Sequence, residues 1–175
     1  MIFFSFWGLG QTVITANNPN TGNYEITTNT TWSDPVYHIF DDIVIQTGAT
    51  LNISAGVQLI FFDDHINGSL GDANKTGIFI MNNEGSLIVN GTQNQMVTFT
   101  TGTDNQGNYL YWEGLVFNKV TNNPHSQINY AIIEYVKKTG SGCGPSIVAD
   151  GAIFINDFNN ITTDYNSYQE KIIKQ

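Results

Sequence analysis

The side chains best suited to chemistry crowd into three short stretches. In "GTDNQGNYLYWE", Tyr109, Tyr111 and Trp112 stand together, with Asp104 before them and Glu113 after them. Aromatic faces flanked by carboxylates and amides can stack on the C–H faces of sugar rings and hydrogen-bond their hydroxyls. The plainer role for Trp112 is a lid over apolar neighbours. In "DDHINGSLGDANKTG", Asp63, Asp64, His65 and Asp72 lie close in sequence. Hard oxygen ligands of this kind suit Ca²⁺, and Asp63 with Asp64 could serve as acid and base. The spacing departs from an EF-hand loop, and a solvated loop is the plainer reading. In "KKTGSGCGPSIVADG", Lys137 and Lys138 are the only adjacent cations, and Cys143 is the only cysteine. One cysteine forms no disulfide framework or thiolate zinc site, and no histidine lies near it in sequence to activate it, so it reads as a loop thiol.

Composition limits the partners. The chain has 175 residues, enough for one domain with a real core, and a formal net charge of −9. Charged residues make up only 12%, and all 6 basic residues are lysines. An acidic chain without a basic patch does not hold a phosphate backbone, so nucleic acid is not an expected partner; nor are anionic membrane surfaces. The opening "MIFFSFWGLG" is apolar but too short to span a bilayer. It ends in the small-x-small pattern Gly8-Leu9-Gly10, although it lacks a basic start. Residues 1–10 are therefore expected to be a truncated signal peptide, with a buried first strand as the alternative. Sequons begin at Asn29, Asn52, Asn67, Asn74, Asn90 and Asn160, which supports export only weakly in so Asn- and Thr-rich a chain.

The elements that must position these residues are short apolar runs. "IVIQTGATLNISAGVQLIFF" contains three runs separated by corners too tight for ordinary sheet crossovers. The first run recurs at 43–46, 78–81, 114–117 and 152–155; the second at 50–53, 86–89, 127–130 and 160–163. The third recurs at 57–62, 96–101 and 131–136, with a weak copy at 167–172. Apolar residues alternate within each run, which is the strand period. Ile43, Ile78, Leu115 and Ile153 are expected to be equivalent, as are Ile45, Ile80, Phe117 and Ile155. So are Leu51, Leu87, Ile128 and Ile161. In the third run, Leu59, Val97 and Ile133 are matched, followed by Phe61, Phe99 and Tyr135. Constant run order implies that each strand pairs with its equivalent in the next copy, winding three parallel sheets into a solenoid. Gly48, Gly56, Gly85 and Gly91 mark corners expected to need positive φ. The surplus residues 63–77, 102–113 and 137–151 all leave from the same corner. Val44, Phe79, Val116 and Phe154 alternate outward as an apolar stripe, which either recruits a ligand or is covered by the insertions.

On "DDIVIQTGATLNISAGVQLIFF", "GSLIVNGTQNQMVTFTT", "YWEGLVF", "INYAIIEYV" and "GAIFINDFNNIT", the chain resembles the right-handed parallel β-helix repeat family of secreted and cell-surface proteins, over roughly residues 32–166. The resemblance implies an all-β, three-sheet, pectate-lyase-like solenoid of about four coils, forming part of a longer one. Residues 11–31 would be a lead-in, and 32–175 the solenoid domain. That fold hosts polysaccharide lyases, hydrolases, adhesins and stalks, so it does not choose a function. Lyases of the family combine lysine with arginine, or calcium with clustered carboxylates, and its glycosidases carry a His-Gly element. Arginine and "HG" are both missing here. The expectation is a secreted or cell-surface module, non-catalytic, that binds a polysaccharide or surface glycan or builds an adhesin or stalk. The alternative is a lyase or glycoside hydrolase. The expected ligand-binding residues are Tyr109, Tyr111, Trp112, Glu113 and Phe79; Asp63, Asp64 and Asp72 are the expected Ca²⁺ ligands.

Overall fold

The computed structural model describes residues 11–63, 75–81, 85–118, 126–137 and 152–156. Every regular element among them is a strand. After β1 (Gln11–Ile14), four coils follow in the same order. The first is β2 (Tyr24–Ile26), β3 (Thr30–Trp32) and β4 (Val36–Ile39). The second is β5 (Ile43–Ile45), β6 (Thr50–Ser54) and β7 (Gln58–Phe61). The third is β8 (Ile78–Met81), β9 (Ser86–Asn90) and β10 (Val97–Thr101), and the fourth β11 (Leu115–Asn118), β12 (Gln127–Asn129) and β13 (Ala131–Ile133). β14 (Ile153–Asn156) opens a further turn.

The strands stack into three sheets of order β2-β5-β8-β11-β14, β3-β6-β9-β12 and β1-β4-β7-β10-β13. Every pairing within them is parallel. This is an all-β, three-sheet parallel β-helix of about four coils. The first of these coils begins at Tyr24, and β1 before it pairs with β4. No helix among the described residues is long and apolar enough to cross a membrane.

The inward faces of β1 to β13 build one continuous core. Ile43, Ile78, Leu115 and Ile153 pair in register, as do Ile45, Ile80, Phe117 and Ile155. Trp32 and Tyr37 stack at 4.7 Å in the first layer. The Tyr37 hydroxyl accepts from the Ser33 and Asp34 amides, so a polar atom inside the cap is satisfied.

Two registers differ from the sequence reading, each by two residues. Ile128 pairs with Val89, not Leu87. Phe99 pairs with Leu59 and with Ile133, so Thr101, not Phe99, lies beside Phe61. A slip of two residues leaves every side chain on the same face, so alternation alone cannot detect it. The slip has a consequence for packing. The column that runs through Phe61 narrows at Thr101, and the indole of Trp112 lies against Phe61 at 4.0 Å and against Phe99 at 6.1 Å. Ile161 and the run at 167–172 lie outside the described residues.

The corners have two causes. Gly48 and Gly56 adopt φ of 76° and 78°, as expected. Gly85 and Gly91 do not need positive φ: a methyl group at Gly91 would run into the Tyr130 carbonyl oxygen, and one at Gly85 into that of Ile45. The corner before the first-run strands is polar and buried. The Asp41 carboxylate accepts from the Ala16 amide at 2.6 Å, and that of Asp42 from the Gly77 amide at 2.9 Å. These carboxylates tie neighbouring coils together.

Candidate binding surface

The insertion between β10 and β11 is an ordered loop. Thr103 and Tyr109 form an antiparallel bridge. Asp104 organises the turn: its carboxylate accepts from the amides of Gln106 and Asn108, both at 2.8 Å, and from the Asn108 side chain at 2.9 Å. Gly107 completes the turn at φ 83°. The Asn108 side-chain amide, with the Asn108 and Gln106 backbone amides, holds the Asp104 carboxyl below its ordinary value, outweighing desolvation. This is an Asx-type turn with a glycine, and "TDNQGN" carries that signal in sequence.

The loop delivers its aromatic residues to two environments. Trp112 goes inward: it is 0% exposed and belongs to the core, and its indole N–H donates to the Glu134 carbonyl at 2.8 Å. The lid role raised from sequence is the one it occupies, and a sugar ring has no access to it. Glu113 follows it into the buried corner and is 2% exposed, with its amide donating to the Thr76 carbonyl at 2.9 Å. Phe79 is also 2% exposed. It pairs in register with Val44 and Val116, which are buried too, so the outward stripe is covered at these positions rather than open. The side chain of Phe154 lies outside the described residues.

Tyr109 and Tyr111 go outward, 53% and 42% exposed. They do not stand alone. Tyr109 stacks on Tyr135 at 4.2 Å, with planes 17° apart. The Tyr109 hydroxyl, hydrogen-bonded to Tyr135, pushes that phenol above its ordinary value. Lys137 places its ammonium over the Tyr111 ring, 5.0 Å from the centroid. The segment is pinned to the loop: Trp112 bridges Val136 in parallel, and the Lys137 amide donates to the Trp112 carbonyl at 3.0 Å.

Tyr135 is the residue that sequence reasoning assigned to the interior. Two residues after inward-facing Ile133, alternation sends it into the core. The backbone instead turns left-handed at Tyr135, with φ 57°, and the residue is half-buried outside the core cluster. For a bulky L-residue this conformation costs about 1–2 kcal/mol, and nothing in the residue type announces it. Tyr130 adopts φ 46° and is 56% exposed; it too escaped the sequence reading as a surface aromatic.

Of the residues expected to bind Ca²⁺, Asp63 is exposed, while Asp64 and Asp72 lie outside the described residues, as does His65. Among the described residues no group of three or more His, Cys, Asp or Glu is placed to hold a metal ion. Cys143 and Lys138 also lie outside them.

Comparison with known proteins returns no family model, no curated protein and no solved structure that matches this chain. The likeness to parallel β-helix proteins therefore rests on its architecture.

Proposed function

We propose that this chain is an exported, non-catalytic β-helix module that binds carbohydrate through Tyr109, Tyr111 and Tyr135 beside its fourth coil. One observation carries the reading: two exposed tyrosines, Tyr109 and Tyr111, on one loop, with Tyr109 stacked on the half-buried Tyr135. Stacked, hydrogen-bonded rings lose little further freedom when a ligand arrives, which favours binding by rigid aromatic contact. Of the carboxylates flanking these rings, Glu113 is buried and Asp104 holds the turn, so the tyrosine rings lead recognition. Export is supported by the apolar opening and the fold's resemblance to secreted solenoids.

The test is a glycan array probed with the parent chain and with Tyr109→Ala/Tyr111→Ala. The double variant is expected to lose at least about tenfold in glycan affinity and to melt within a few degrees of the parent, since both rings lie outside the core. A parent that binds no glycan, or a double variant that binds as the parent does, would replace this reading with a structural role at the cell surface. Release of reducing ends or unsaturated products would replace it with the enzyme alternative.

A further inference from the structure

Among the described residues, the non-glycine positions with left-handed backbone are both tyrosines, Tyr130 and Tyr135. They bracket β13. Tyr130 forms the one-residue corner between β12 and β13, where its carbonyl accepts from the Val97 amide at 3.0 Å. Tyr135 lies past the other end, stacked on Tyr109. Neither ring belongs to the interior core, so core packing does not account for an aromatic residue in either strained position. Between them, Ile132 and Glu134 alternate outward from inward-facing Ile133. The Glu134 carboxylate accepts from the Thr100 hydroxyl at 2.7 Å, which fixes a polar group beside Tyr135. Five steps of near-extended chain carry one tyrosine about 15 Å from the other.

We propose that these residues form one continuous track and that its ligand is an unbranched, uncharged polysaccharide lying along β13. One sugar ring packs at Tyr130 and another at the Tyr109–Tyr135–Tyr111 cluster, with Glu134 hydrogen-bonding a hydroxyl between them. The inference rests on the carbohydrate reading above and adds the ligand's length and charge. A polyuronate is disfavoured because the chain carries a net charge of −9 and the Glu134 carboxylate stands on the track beside Tyr135. Lys137, at the far end, is engaged over Tyr111.

The full chain is titrated with unbranched neutral oligosaccharides, cello- and xylo-series from monosaccharide to hexasaccharide, and with oligogalacturonides as the charged comparison. Tyr130→Gly and Tyr130→Asn remove the ring and keep a residue that tolerates the left-handed corner. Affinity is expected to climb with neutral chain length until the track is spanned. Both variants should lower affinity for the longest ligands about tenfold, leave disaccharide affinity as in the parent, and preserve the melting temperature. Affinity that does not grow with length, Tyr130 variants that bind long ligands normally, or tighter binding of oligogalacturonides would each overturn the track. If Tyr109→Ala weakens binding in those cases, the carbohydrate reading survives without it. If no oligosaccharide binds the parent, both fall.

Discussion

Trp112 and Tyr109 illustrate how neighbours in one short loop take opposite roles. Trp112 fills the space left where Phe61 is followed by Thr101 in its column, and Trp112→Ala is expected to cost about 3–5 kcal/mol in denaturant unfolding. A loss below about 1 kcal/mol would mean that the indole is not the lid described above. Phe99→Ala, also fully buried, belongs to the same range. Asp104 makes a prediction of a different kind. Its folded-state value is depressed, so its contribution to the loop is complete above the ordinary aspartate value and is lost as pH falls through the lowered one. Hydrogen exchange of the Gln106 and Asn108 amides should accelerate, relative to the reference rate, across that acidic window. In Asp104→Asn the window should vanish, while unchanged protection in the parent would count against the turn's dependence on the carboxylate.

At the scale of elements, the corners decide whether coils can stack. Gly91 sits directly beneath the Tyr130 carbonyl, so Gly91→Ala forces two coils apart at a site where backbone cannot yield as a side chain would. A loss of about 1–3 kcal/mol is expected, the range of an overpacked interior. Circular dichroism melting would check it, with an unchanged midpoint arguing that the corner relaxes. The opposite corner is held by carboxylates. Asp42→Ala removes the acceptor of the buried Gly77 amide, and leaving such a donor unmet should cost about 1–3 kcal/mol.

The whole molecule is a stack in which each coil touches its neighbours, so stability is close to a sum of coil and interface contributions. Destabilising the third coil should therefore loosen protection in the fourth, and with it the tyrosine cluster that the fourth presents. If residues 1–10 are removed on export, a chain beginning at Gln11 should melt as the full chain does. A fall of many degrees on that deletion would make Phe3, Phe4 and Phe6 part of the fold.

Strand existence, run order and the register of the first-run strands were legible in the sequence because burial on one face of a strand imposes alternation, and repetition of that alternation imposes stacking. The same period of two hid the register of Phe99 and of Ile128, since a slip of two residues preserves every face. It also misplaced Tyr135, whose backbone reverses where alternation predicts continuation. The site was half legible. "NYLYWE" marks a loop from which Tyr109 and Tyr111 reach the surface. That Trp112 and Glu113 turn inward while Tyr130 and Tyr135 turn outward was decided only by tertiary structure. The column narrowed at Thr101 and accepted an indole, and two left-handed corners kept Tyr130 and Tyr135 out of the core. Both are consequences of how adjacent coils meet, which no single run of residues contains.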